Sequence, residues 1–221
     1  MYYGYSFDKD GNIKDDKKHL SFSAIDLWRK DKHAYRRRYY EGEPGFTSPF
    51  TVFGTEVHRQ VEKGELEIKG HPAEWYDHEV KVEASIDGVE MLGFIDRLRN
   101  RAPLRVVDIK TSINEWRMSD VQKLDQLPYY VLMLRENGIK ASQYTGVLWL
   151  ETQWVDGEKR HVEVSGFSAE QEVSPRHLAL TGKQVYLSRR VHLHDLDRVR
   201  GIIIQAGKEI NEDFELWRKK N

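Results

Sequence analysis

The run Leu104–Thr111, LRVVDIKT, decides the fold. Leu104, Val106, Val107 and Ile109 are the apolar and β-branched types that fill a buried strand. Asp108 and Lys110 interrupt them two residues apart. Alternation along a strand puts that pair on one face and Val107 with Ile109 on the other. A carboxylate and an ammonium leaving an apolar strand together must be paired, solvated or bound to a metal, because burying either charge alone is very costly. Just upstream, Met91–Leu98 (MLGFIDRL) is a second apolar run with one carboxylate, Asp96, followed by Arg97. Standing alone, an Asp-x-Lys describes a salt-bridged strand end more often than a site.

Working outward, the chain of 221 residues is long enough for a full core in one domain. Hydrophobic residues make up 39% and charged residues 32%, a globular balance without a bias to disorder. No apolar run has the length of a membrane span, and the polar stretch YSFDKDGNIKDDKK is no signal peptide. A cytoplasmic protein without a membrane partner is expected. Cysteine is absent, which excludes disulfides, thiolate zinc sites, iron–sulfur clusters and Cys nucleophiles. Any metal must then be held by His and carboxylates, which favours Mg²⁺ or Mn²⁺. The net charge is −1, so a nucleic-acid partner would need a local patch.

Met1–Lys18 reads as a tail or loose hairpin. Ser21 or Ser23 can cap a helix that runs through Ile25, Leu27 and Trp28 toward Tyr39 and Tyr40. Its second half sets Arg29, Lys30, Lys32, Arg36, Arg37 and Arg38 among Tyr35, Tyr39 and Tyr40. Cations contact phosphates and rings stack on unpaired bases, so Arg29, Lys32, Tyr35, Arg36, Arg37 and Tyr39 are candidate nucleic-acid contacts. A solvated helix face with core tyrosines fits the same residues.

A Gly/Pro-rich loop, Glu41–Pro49, leads to a second helix expected from Phe50 to Lys69. It places Gly54 and His58 one turn apart, with Val57, Val61 and Leu66 toward the core and Glu62 as a further ligand or a partner of His58. Three strands follow: His78–Ala84, a turn at Ile86-Asp87-Gly88, then Val89–Arg99 and Leu104–Thr111. Hairpin pairing lets Asp96 and Asp108 converge on adjacent strands. A helix over Ser119–Asn137 stops at Gly138; Gln126 and Tyr130 share one face of it, and Pro128 either bends it or opens its second half. A strand over Gln143–Trp154 pairs with Arg160–Ser165. Helices over Ser168–Leu187 and Asp195–Lys219 close the chain.

In order, the motifs are Gly-x-x-x-His (Gly54, His58), Gly-x-x-Asp (Gly93, Asp96), Asp-x-Lys (Asp108, Lys110) and Gln-x-x-x-Tyr (Gln126, Tyr130). This set resembles the PD-(D/E)XK nuclease superfamily, in particular its RecB-like and Cas4-like branch, over Leu20–Leu150. The entry stretch HLSFSAIDLWRKDKHAYRRRYY is similar to that branch's opening helix. The resemblance implies an α/β (α+β) restriction-endonuclease-like core, a central mixed sheet of about five strands flanked by helices. All of 1–221 forms one nuclease domain in this reading, with a tail at 1–18, the core at 20–165 and C-terminal helices at 168–221.

It further implies that His58, Asp96, Asp108 and the Ile109 backbone carbonyl hold Mg²⁺ or Mn²⁺. Lys110 would be the catalytic lysine, and Gln126 and Tyr130 would shape the site. The activity implied is a metal-dependent DNA nuclease, an exonuclease or end-processing enzyme, acting in recombination, repair or phage DNA metabolism. A catalytically inactive subunit that binds DNA ends on the same fold is the alternative. Cas4-like proteins carry cysteines for an iron–sulfur cluster; here Asp31-Lys32 stands in that neighbourhood, so a cluster is excluded. No ATPase P-loop is present, so a helicase or recombination partner would be another chain, and a homo-oligomer stays open.

Overall fold

Val89–Arg99 (β4) is the strand on which the architecture turns, and its alternation explains why. Val89, Met91 and Ile95 are buried on one face, while Glu90 and Phe94 face outward. In a computed structural model, which describes residues 1–8, 12–45, 48–156 and 176–220, β4 follows Tyr76–Ile86 (β3). A two-residue turn joins them, with Asp87 at φ +50° and Gly88 at φ +83°. Both residues are types that tolerate this left-handed backbone, as a tight hairpin needs. Val106–Ser112 (β5), Tyr144–Asp156 (β6) and Arg176–Arg190 (β7) complete a five-stranded sheet ordered β3-β4-β5-β6-β7. Only β5 and β6 run parallel; the other neighbours are antiparallel. The mixed sheet flanked by helices is the fold class expected from the sequence.

The helices divide the two faces. Phe22–Lys30 (α1), Gln126–Glu136 (α5) and Leu193–Arg218 (α6) cover one, over a core that includes Ile25, Met91, Ile95, Leu127, Val131, Ile203 and Phe214. α5 lies between the sheet and α6, so every residue from Leu127 to Leu134 is buried. Pro49–Glu62 (α3) covers the other face, where Val57 and Val61 pack on Val107, Ile109, Leu148 and Leu150.

Several boundaries differ from the sequence reading. The expected helix from Ser21 to Tyr40 is two helices. Ser21 Oγ caps α1 by accepting the Ala24 N–H at 3.2 Å, and the chain then extends at Asp31. The Asp31 carboxylate accepts the Ala34 N–H at 2.9 Å and starts Lys32–Tyr39 (α2); a side chain that caps competes with helix continuation. α3 ends at Glu62 rather than Lys69, because Gly64 turns left-handed at φ +70°. Ser119–Asn137 also divides, into Met118–Lys123 (α4) and α5, with Leu124 extended between them and Pro128 in the first turn of α5.

The largest correction is β7, where a helix was expected over Ser168–Leu187. Residues 176–190 pair along β6, and Gly182 at φ +89° has no place inside a helix. The expected strand Arg160–Ser165, and the expected helix from Ser168 to 175, lie outside the described residues. The N-terminal segment is a hairpin, Tyr5–Phe7 (β1) with Ile13–Asp16 (β2), anchored by the fully buried Tyr3. No described helix is long and apolar enough to cross a membrane.

Candidate active site

β4 and β5 pair through Arg97 with Val107 and Leu98 with Val106, and their ladder ends there. One step beyond, Asp96 faces Asp108. The Asp96 carboxylate fills the fork between the strands and accepts the Ile109 N–H at 2.7 Å through Oδ2. Burial, then the neighbouring Asp108 carboxylate, raises the pKa of Asp96 well above the ordinary carboxylate range.

Asp108 is 1% exposed. The Lys110 ammonium is 2.9 Å from its Oδ2 but off the line of a good hydrogen bond, so neither buried oxygen has an aligned donor. Lys110 donates instead to Gln126 Oε1 at 3.1 Å, and Gln126 Nε2 donates to the Tyr130 hydroxyl at 3.3 Å. Burial lowers the Lys110 pKa, but attraction to Asp108 and Asp96 outweighs it and leaves the pKa raised. The ammonium is therefore charged, and aimed by a chain of side chains from α5.

His58 comes from α3 on the opposite face of the sheet. Its Nε2 is 3.1 Å from the Ile109 carbonyl oxygen and donates to it when the proton sits there; Nδ1 then lies 3.8 Å from Asp96 Oδ1 with its lone pair free. Burial lowers the His58 pKa, with Asp108 opposing, so the ring is neutral near pH 7. The Ile109 carbonyl, expected as a metal contact, is occupied by His58 in this arrangement.

Both motif glycines leave room for a neighbour. A Cβ on Gly54 would stand 3.2 Å from Thr111 Oγ1, and one on Gly93 would stand 2.8 Å from a Tyr130 ring carbon.

One residue of the cluster was missed in the sequence. His58, Glu79 and Asp96 each offer a donor atom, and these lie within 4.8 Å of one another. Glu79 sits inside β3 with φ +46°, a left-handed backbone that a non-glycine residue rarely adopts. Strand alternation groups Glu79 with the outward Lys81 and Glu83; only the backbone twist sets it apart, and no residue type announced that twist. Burial and the nearby Glu62 raise its pKa. Glu62, weighed as a ligand, is not one of the three clustered groups, although His58 is one helical turn away.

The donors are carboxylates and a neutral imidazole, with two buried Asp108 oxygens lacking an aligned donor. Such a set fits a hard or borderline divalent cation.

The expected nucleic-acid contacts are not gathered here. Tyr35 is fully buried and its hydroxyl donates to the Tyr3 carbonyl at 2.8 Å, so no base can stack on it in this fold. Arg36 forks onto Asp213 of α6, and Lys32 reaches Glu209 at 2.9 Å. Arg29 lies 3.6 Å from Asp125 and Arg37 3.2 Å from Glu43. Tyr39 is packed against the core and has Lys17 and Arg38 over its ring. The reading of α1 and α2 as a helical surface with core tyrosines describes these contacts better. The sequence hid this because the acids paired with Arg36, Lys32 and Arg29 come from α6 and from the start of α5.

Comparison with known proteins bears on the fold and the family. A phage-related exonuclease from Haemophilus somnus has a similar structure, with TM-score 0.54 at 11% identity, covering 100% of this chain and 92% of that one. An exonuclease candidate from Eubacterium rectale has TM-score 0.50 at 10% identity, covering 90% and 82%. At such identities the likeness speaks for the fold. No curated protein sequence matches. The family model described as PD-(D/E)XK nuclease superfamily matches residues 57–218, which takes in His58 and the three motifs after it. The chain belongs to the PD-(D/E)XK nuclease superfamily.

Proposed function

We propose that the protein is a divalent-metal-dependent DNA nuclease that processes strand ends, an exonuclease of the RecB-like kind. The observation that carries this reading is the fork itself: Asp96 and Asp108 opposed at the end of the β4–β5 ladder, with Lys110 held beside them by Gln126. A Mg²⁺ or Mn²⁺ ion held there would supply Lewis acidity and a water acidic enough to attack a phosphodiester near neutral pH. Asp96 and Asp108 would be its carboxylate ligands, and neutral His58 would offer the Nδ1 lone pair. Lys110 donates toward the scissile phosphate and offsets the charge that builds there. Gln126 fixes the ammonium, and Tyr130 fixes Gln126. The description of the Haemophilus somnus protein as an exonuclease accords with end processing.

The test is digestion of 5′- and 3′-labelled single- and double-stranded DNA with Mn²⁺ or Mg²⁺, with Lys110→Ala as control. Stepwise shortening of labelled strands by the wild type alone is the expected result, and the end from which it starts gives the polarity. Intact DNA of every kind with both metals rejects the nuclease. Metal-independent binding of ends that Asp108→Ala leaves unchanged would make the protein a non-cutting end-binding subunit instead.

A further inference from the structure

On the α3 face of the sheet, three arginines gather with no carboxylate among the described residues ion-paired to them. Arg97 is 1% exposed, stacks 4.0 Å from the centre of the Tyr76 ring and donates to the His71 carbonyl at 3.0 Å. Its Nε and Nη1, like the Nε of Arg99 and of Arg105, are buried without a hydrogen-bond partner. The Arg99 N–H donates to the Arg105 carbonyl at 2.9 Å, which sets those two side by side across the ladder. Arg105 Nη1 reaches the Tyr186 hydroxyl at 3.5 Å, and Arg99 lies 5.9 Å from the Trp75 ring. Burial and then all three guanidiniums lower the pKa of His71, so their fields converge on one ring.

Among the described residues, none of the three is ion-paired with an acid. The arginines of α1 and α2 differ: Arg29, Arg36 and Arg37 each face a carboxylate. A guanidinium as buried as that of Arg97 is costly without an acid beside it, and a planar fork is matched by the oxygens of a phosphate. The Arg99–Arg105 pair is also three residues along the ladder from Asp96 and Asp108. At about 3.3 Å per residue that is roughly 10 Å, within reach of a strand whose end lies at the fork.

We propose that Arg97, Arg99 and Arg105 form an anion site that holds a phosphate of the nucleic-acid strand whose end lies at the fork. Arg99 and Arg105, which are half-exposed, contact the phosphate, and buried Arg97 braces the Tyr76 wall behind them. This rests on the nuclease reading for its ligand, and its test is kept apart from cleavage.

The experiment is fluorescence anisotropy of a labelled single-stranded oligonucleotide with wild type and an Arg99→Gln/Arg105→Gln double variant, in EDTA, across a salt series. A circular-dichroism melt confirms that the variant is folded, and Arg99→Lys/Arg105→Lys supplies a conservative partner. The double Gln variant should bind about tenfold more weakly at moderate salt, with a salt slope shallower by roughly 0.7 for the one lost phosphate contact. The Lys pair should keep most of the slope. An affinity advantage of a 5′-phosphorylated strand over a 5′-hydroxyl one, lost in the Gln variant, assigns a terminal phosphate. Equal affinity for both, lowered in the Gln variant, assigns an internal phosphodiester. A folded Gln variant with wild-type affinity and slope overturns the site. Because no metal is present, absence of cleavage in Mn²⁺ would remove the nuclease while leaving this binding result standing.

Discussion

The Asp96 carboxylate leaves β4 to accept the Ile109 N–H of β5 at 2.7 Å, closing the fork with a side chain where a backbone bond would otherwise lie. Burial and Asp108 hold its pKa high, so without metal the ionised form is disfavoured in the fold. A folded pKa above the unfolded one contributes stability that is present below the unfolded pKa and lost as pH rises through the folded value. The metal-free protein should therefore lose stability as pH rises from about 4. Asp96→Asn keeps an oxygen for the Ile109 N–H and removes that loss. Above the folded pKa it should melt higher than wild type by on the order of 1 kcal/mol, about 2–4 °C for a chain of this size. Melting curves in EDTA against pH check this, and a parallel decline of both proteins would refute it. Added Mn²⁺ should raise the melting temperature of the wild type only.

Lys110 contacts Asp108 and Gln126 at once, so its charge and its aim are separable. Lys110→Ala should lower kcat by about 10²-fold or more, the scale of losing one electrostatic contributor, with Mn²⁺ still raising the melting temperature. Gln126→Ala leaves the charge and frees its position, and a smaller loss, about tenfold, is expected. Equal losses in the two variants would contradict this division.

How far the sequence went depends on which force acts at each place. The faces shared by Asp108 with Lys110 and by Gln126 with Tyr130 were legible because alternation and the four-residue helical spacing fix faces locally. β4 was legible to its ends, since a two-residue Asp-Gly turn sets the register. Asp31 was not legible as a break, because its carboxylate chooses between solvent and the Ala34 N–H only in the fold. Residues 176–187 carry a mixed pattern that β6 resolves by offering a partner along their length. Tyr35 and Arg36 looked like a binding surface until Tyr3 took the Tyr35 hydroxyl and α6, about 180 residues later, supplied Asp213.

Glu79 tests the cost of that hidden geometry. A left-handed L-residue is strained by roughly 1 kcal/mol, which glycine avoids. Glu79→Gly should leave the metal-free melting temperature unchanged or raised, since it also removes the repulsion from Glu62. It should weaken Mn²⁺ binding at least about tenfold, measured by calorimetry. A melting temperature several degrees lower with Mn²⁺ affinity intact would make Glu79 structural only.

The α1–α2 surface should respond as a scaffold. Tyr35→Phe leaves the Tyr3 carbonyl without its buried donor and should cost about 1 kcal/mol. Arg36→Ala breaks the fork on Asp213 at a half-exposed site and should cost up to about 1 kcal/mol. Both should leave oligonucleotide affinity within twofold, by the same anisotropy titration. A large loss of affinity in either variant, with the melt unchanged, would return this surface to the binding role.

Gly93 links the fork to α5 without touching any charge. The space a Cβ would take belongs to the Tyr130 ring, 2.8 Å away, with Met133 Sδ at 3.7 Å beyond. Tyr130 is buried within the run Leu127–Leu134, so the ring cannot swing into solvent to make way. Gly93→Ala must therefore push the ring or the strand, and overpacking of this kind costs about 1–3 kcal/mol. Moving Tyr130 releases Gln126 and then Lys110, since each is held by the one before. The expected result is a kcat loss of about tenfold or more with Mn²⁺ affinity nearly unchanged, because Asp96, Asp108 and His58 do not depend on the ring. A Gly93→Ala/Tyr130→Leu double variant restores the space but not the hydroxyl. It should recover the melting temperature and leave kcat low, and recovery of both would show that Tyr130 only packs.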